Sequence, residues 1–297
     1  MSRWLITGSY GQLGTDLQDV LAGSPDDVVE AVDLDSLDIT DPAAVDAAVA
    51  EFAPDTLVNA AAYTAVDAAE QNEELAFRVN ATGPAALAAA IARHGGRLIH
   101  VSTDYVFAGD AVRPYEVNDT PDPKSAYGRT KLAGELAVLE LLPASSYVVR
   151  TAWVYGATGA NIVKTMARLE AERDTVSVVD DQRGSPTWSA DLARALVELA
   201  RSDAAPGIYH CTGAGDTTWY RFTQAIFEEL GADPARVLPI TTAEYPVPAP
   251  RPAYSVLSDA AWLAAGLSPM PAWRDALRTA FATSAAAFRP PVGTGGG

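Results

Sequence analysis

Trp4-Leu5-Ile6-Thr7-Gly8-Ser9-Tyr10-Gly11-Gln12-Leu13-Gly14 decides the fold. The run Trp4 to Thr7 reads as a short buried strand, the glycines as a tight turn, and Gln12 to Leu21 as a helix. A strand, glycine turn and helix in that order present backbone N–H groups and a favourable dipole to a pyrophosphate. Gly8, Gly11, Gln12, Leu13 and Gly14 are therefore candidate cofactor contacts. The Gly-x-x-Gly-x-x-Gly spacing differs from the commoner dinucleotide fingerprint, and a purely structural turn would use the same glycines; the flanking strand and helix favour the nucleotide. Asp33 stands nineteen residues beyond Gly14 at the end of the second strand. An acid there commonly accepts a ribose hydroxyl, and an ordinary strand-end aspartate is the equal alternative.

The same rhythm continues through the first half. Val28 to Val32, Thr56 to Asn59, Arg97 to Ser102 and Ser146 to Arg150 read as strands, with helices at Pro42 to Phe52, Ala81 to His94 and around Tyr127. Asp41 and Pro42 supply a cap and a first-turn proline. This pattern predicts an α/β fold, a Rossmann-type doubly wound parallel sheet with a smaller C-terminal substrate-binding lobe. Residues 1–150 form the expected dinucleotide-binding domain, to which segments near 176–213 return. Residues 151–289 form an interleaved substrate-binding lobe, and 290–297, ending in three glycines, a disordered tail. In that half Asn161 to Glu172, Ser189 to Ala200 and Trp273 to Ala287 read as helices, Val176 to Val179 and Gly207 to Cys211 as extended. The prolines between Pro246 and Pro252 forbid a regular helix there.

Of 297 residues 48% are hydrophobic, enough for a substantial core, and the net charge of −17 opposes a nucleic-acid or anionic-membrane surface. The single cysteine, Cys211, excludes an internal disulfide. The apolar run Trp4 to Ile6 is too short for a signal peptide or a membrane span, so a cytoplasmic protein is expected.

Ser125-Ala126-Tyr127-Gly128-Arg129-Thr130-Lys131 holds the candidate chemistry. Residues four apart share a helical face, so the Tyr127 phenol and the Lys131 ammonium point to one side. A nearby cation favours the phenolate, which would lower the phenol's pKa toward the range of a general acid. An exposed helix with an incidental Tyr and Lys has the same spacing, and only context separates the two.

That context comes from Val101-Ser102-Thr103-Asp104-Tyr105-Val106-Phe107, which joins the glycine turn and Tyr127-x-x-x-Lys131. Together the three resemble the extended short-chain dehydrogenase/reductase superfamily. The runs Asn59 to Asp67, Arg150 to Gly156 and Val179 to Thr187 make the chain, to about residue 287, similar to the dTDP-4-dehydrorhamnose reductase family. The resemblance implies NADPH or NADH as cofactor and a dTDP-4-keto-6-deoxysugar as substrate. It implies catalytic roles for Thr103, Tyr127 and Lys131: Tyr127 as proton donor to the C4 oxygen, Lys131 on the nicotinamide ribose, and Thr103 on the reacting oxygen. Asp38 and Ile39 would meet the adenine side, and Ala61, Ala62 and Tyr63 would line the cofactor. Thr103, Asp104 and Trp153 would face the nucleotide sugar, Trp153 being otherwise a core aromatic. Arg183 and Arg251 are both candidates for the substrate diphosphate, with surface salt bridging the duller role of each. Some relatives dimerise through magnesium held by three acids; Asp16 and Asp191 match two positions, but Thr283 stands at the third, so no metal site is expected. A monomer or homodimer is compatible with the sequence. Two other readings stay open: a reductase of another dTDP-4-keto-6-deoxysugar, and a non-catalytic regulatory subunit on the same fold.

Overall fold

The structure, a computed structural model, describes residues 2–288; the expected tail lies outside the described residues. Five strands come in the order of the sequence reading: β1 (Ser2–Thr7), β2 (Asp27–Val32), β3 (Thr56–Asn59), β4 (Arg97–Thr103) and β5 (Ser146–Thr151). With Gly207–His210 beside β5 they make a six-stranded sheet, ordered β2-β1-β3-β4-β5 and then Gly207–His210. Every pairing in it is parallel. Alternate residues feed opposite faces, as the pleat requires. Ile6, Val58, Ile99 and Val149 pack with Leu13, Leu17, Leu192 and Leu196 from helices Gln12–Ala22 and Ser189–Arg201. Leu5, Leu57, Leu98 and Val148 pack with Val45, Leu87 and Val138 from helices Pro42–Phe52, Gly83–His94 and Ala126–Leu141.

A further core gathers Tyr155, Val163, Phe222, Phe227, Leu277 and Phe281. Here the expectation that the 176–213 stretch returns to the nucleotide-binding sheet meets a mixed outcome. Val176–Val179 pairs in parallel with Val237–Ile240 instead, because Val176 and Val178 bury their side chains against helix Trp219–Leu230 in this second core. Neither that helix nor the Val237–Ile240 strand was part of the sequence reading, although Thr218 caps the helix and Gly231 ends it in the left-handed region. The final helix, Trp273–Phe288, is broken by non-helical geometry at Ser284.

The helical stretch Glu73–His94 is long and apolar enough to cross a membrane by composition, but 56% of its most apolar window is buried within the fold. It contains a wide turn of π-helix at Arg78–Thr82. Such turns often mark functional positions, and this one carries the fully buried Asn80.

Candidate active site

The carboxyl ends of the parallel strands converge with the glycine turn, the position where open α/β sheets hold ligands. Gly8 has φ +72°, and a Cβ there would meet the Ala61 backbone nitrogen at 2.6 Å; one at Gly14 would meet the Gly8 carbonyl oxygen at 2.1 Å. These glycines let the first loop lie against the end of β3 and the first helix start directly beneath it. Gly11 is the N-cap of helix Gln12–Ala22, which has neither a side-chain cap nor an acid in its first turn. Its N-terminus suits an anionic group.

Asp33 stands beside that turn. Its carboxylate accepts from the backbone N–H of Tyr10 at 2.8 Å and of Leu34 at 2.9 Å, while the Tyr10 hydroxyl donates to Asp35 at 3.0 Å. Asp38 is exposed and accepts from the Thr40 N–H and hydroxyl. Ile39 is buried at 6% exposure, and a Cβ on Gly83 would strike its side chain at 2.7 Å. Ala61, Ala62 and Tyr63 are half-buried after β3. The Tyr63 backbone is held at both groups by Asn80, which accepts from its N–H at 2.8 Å and donates to its carbonyl at 3.1 Å. Asn80 also donates to Thr130 on the Tyr127 helix at 3.1 Å, a brace the sequence reading missed.

Ser125 caps the Ala126–Leu141 helix, accepting from Gly128 N–H. The helix can seat there because Gly128 and Gly134 leave room for the carbonyls of Tyr105 and Asn80. Tyr127 meets the ring of Tyr105 edge-on, centroids 5.6 Å apart. Lys131, at 2% exposure, donates through Nζ to the Val101 carbonyl oxygen at 2.7 Å. Thr103 ends β4, donates to Asp104 Oδ1 at 3.0 Å and accepts from Tyr105 N–H.

The electrostatics reverse one expectation. Burial raises the Tyr127 phenol to about 12, with the neighbouring Thr103 hydroxyl acting against the rise and the Asp104 charge adding to it. The Lys131 ammonium does not draw the phenol down here, because removing that oxygen from water outweighs the other influences. Burial also lowers Lys131 itself to about 8, with Glu135 opposing the drop. Asp104 is lifted to about 6 by burial; Ser255 favours its carboxylate without reaching ordinary hydrogen-bond geometry, so Oδ2 stays unpartnered.

Beneath Lys131 a polar row crosses the sheet. Asn59 Oδ1 accepts from the Thr7 hydroxyl at 2.7 Å and Ala61 N–H at 3.2 Å. Its Nδ2 therefore faces His100 Nδ1 at 3.0 Å as donor. That assignment puts the imidazole proton on Nε2. Burial, then the Lys131 charge, push His100 well below the usual histidine range, so it is neutral.

Trp153 lies just past β5 at φ +48°, a strained setting for a bulky residue of the kind found at functional positions. Its indole stacks on Trp219 with centroids 3.5 Å apart, and a Cβ on Gly184 would come within 2.5 Å of it. It is half-buried at the margin of the second core, so it serves packing and remains reachable. Both diphosphate candidates are engaged: Arg251 pairs with Asp67 at 2.7 Å, and Arg183 with Asp216. Arg251 also lines a small pocket with Tyr105, Lys124, Ser125 and Pro250. A cavity of about 380 Å³ opens at the opposite end of the sheet, bounded by Ser2, Asp55, Arg97 and Ser145, far from this chemistry. Of the magnesium-matching positions, Asp16 accepts from Ser189, Asp191 pairs with Arg194, and the Thr283 hydroxyl donates to Thr279 O within its own helix.

The model of the RmlD substrate binding domain matches residues 2–286. A dTDP-4-dehydrorhamnose reductase of Streptomyces griseus is 51% identical over 298 residues, covering 98% of this chain and 97% of its own. A probable dTDP-4,6-dihydroxy-2-methyloxan-3-one 4-ketoreductase of Streptomyces antibioticus is 50% identical over 99% of both chains. Among solved structures, a dTDP-4-dehydrorhamnose reductase of Bacillus anthracis in complex with NADP superposes with TM-score 0.91 at 39% identity, covering 95% of this chain and 99% of its own.

Proposed function

The chain belongs to the dTDP-4-dehydrorhamnose reductase family, that of the RmlD substrate binding domain, and on that premise we propose that it reduces the C4 ketone of dTDP-4-dehydro-β-L-rhamnose to dTDP-β-L-rhamnose. NADPH or NADH serves as reductant. The observation that carries the reading is that Thr103 ends β4 beside the Tyr127 phenol, while Lys131, one helical turn on from Tyr127, is bonded to the same strand at Val101.

The uncapped helix after Gly11 suits the cofactor's pyrophosphate, Asp33 its adenosine ribose, and Ala61 to Tyr63 the length between. The bound nicotinamide supplies the hydride. Tyr127 holds a proton on its phenol oxygen at neutral pH, as its raised pKa ensures, and gives it up only as negative charge develops on the substrate's C4 oxygen. The Thr103 hydroxyl, which donates to Asp104 Oδ1 in the free protein, would turn its one proton to the same oxygen. Lys131 binds the nicotinamide ribose from one helical turn beyond Tyr127 on the same face. Residues 1–150 and the Gly207–His210 strand carry the cofactor in this reading. The lobe within 151–289 carries the sugar nucleotide, with Trp153 as a wall between them.

A second reading, a reductase of another dTDP-4-keto-6-deoxysugar, is favoured by the equal similarity to the S. antibioticus 4-ketoreductase. Product analysis separates the two. The protein is incubated with dTDP-4-keto-6-deoxyglucose, the 3,5-epimerase and reduced cofactor. dTDP-L-rhamnose is expected; an epimeric deoxysugar would move the assignment to the second reading.

A further inference from the structure

Glu135 follows Lys131 by one helical turn and Tyr127 by two, on the same helical face. It is 1% exposed and meets Arg150 of β5, itself 1% exposed, in a forked pair: Nη2 to Oε2 at 2.7 Å and Nε to Oε1 at 2.9 Å. Arg150 also lies over the Phe107 ring at 4.9 Å and donates to Val117 O. One guanidinium thus joins the catalytic helix, the sheet and the loop that begins at Asp104. A pair removed from water this completely costs desolvation that its attraction only partly repays, so stability alone is a poor reason for it.

The groups around Lys131 give a better one. On its own helix stand Tyr127 and Glu135; His100 approaches from β4, Asp104 lies just beyond that strand, and Arg150 comes from β5. His100 is neutral, Tyr127 keeps its proton, and burial disfavours the lysine's charge while Glu135 supports it. We propose that the buried Glu135–Arg150 pair is a positioning device of the reductase site: Glu135 holds Lys131 in its cationic form, and Arg150 holds Glu135 and the Asp104–Phe107 loop in place. The proposal deepens the reductase reading and rests on it. Lys131 and not Glu135 touches the cofactor.

The test is NADH binding, followed by nucleotide fluorescence from pH 6 to 9; NADH carries no 2′-phosphate to titrate in that range. Wild type should bind with a basic limb near pH 8. In Glu135→Gln the limb should move down by about one pH unit, leaving affinity close to wild type at pH 6 and roughly fivefold weaker at pH 8. Glu135→Asp, which keeps the charge, should keep the wild-type limb. Should the single Gln variant fail to fold, Glu135→Gln/Arg150→Gln leaves no buried charge unpaired and should move the limb in the same direction by a smaller amount, because the Arg150 cation that opposes the lysine's charge is removed as well. An affinity loss equal at every pH, or an unmoved limb in the variant that folds, would overturn the proposal. A wild type that binds no NADH would refute the reductase reading and the proposal with it.

Discussion

The Lys131 ammonium is hydrogen-bonded to the carbonyl oxygen of Val101 at 2.7 Å, so the strand that ends in Thr103 also anchors the cation of the site. The bond is backbone-directed and independent of the identity of residue 101. It fixes the ammonium against the strand that carries Thr103.

That buried cation has a stability signature. Its folded pKa of about 8 lies below the free-lysine value, so from about pH 8 to 10 the folded protein has shed a proton that the unfolded chain keeps, and stability rises with pH across that window. Below pH 8 both states are charged, and the full cost of burying the charge is present. Lys131→Met should therefore stabilise the cofactor-free protein at pH 7 by up to about 3 kcal/mol, the gain shrinking toward pH 10. Urea unfolding at pH 7 and 9.5 measures it; a gain equal at both would mean that Lys131 is not the group responsible.

Both reduced cofactors should be used. Asp33 and Asp35 stand at the expected ribose site, and Asp33 is fixed by two backbone N–H groups. A 2′-phosphate would meet these carboxylates, while a plain ribose would find acceptors. Steady-state rates with NADH and NADPH should lie within about a hundredfold of each other, or roughly 2.7 kcal/mol. A larger preference for NADPH would displace the ribose from Asp33.

Trp153→Ala should raise KM for the sugar nucleotide by tenfold or more, about 1.4 kcal/mol, and leave cofactor affinity nearly unchanged. The stack on Trp219 makes the indole part of the second core as well, so a melting curve belongs beside the kinetics. A variant that unfolds, or one that loses cofactor affinity equally, would make Trp153 a core residue and not a pocket wall.

The sheet was legible because its signals are local. Trp4 to Thr7 and Thr56 to Asn59 are short apolar runs that end where the backbone must turn, and Asp41-Pro42 states a helix start in two residues. The Tyr127 helix was legible through the four-residue spacing of Tyr127 and Lys131, while its Ser125 cap was not read from the sequence. Long-range relations were not. Nothing near Val176 says that its partner is Val237, and nothing near Asn80 says that it braces Tyr63 and Thr130. The phenol's pKa was misjudged because spacing announces a neighbouring charge but not how much water the fold removes. Arg251 looked available in a proline-rich loop, and only the fold brings Asp67 to it.

The central claim is that Tyr127 is the proton donor. Single-turnover reduction of the 4-keto sugar nucleotide, followed by loss of reduced-nicotinamide absorbance, tests it in Tyr127→Phe, which keeps the ring against Tyr105 and removes only the hydroxyl. The rate should fall by about 10²- to 10⁴-fold while cofactor affinity and melting temperature stay near wild type. Reduction by Tyr127→Phe at the wild-type rate would contradict the account.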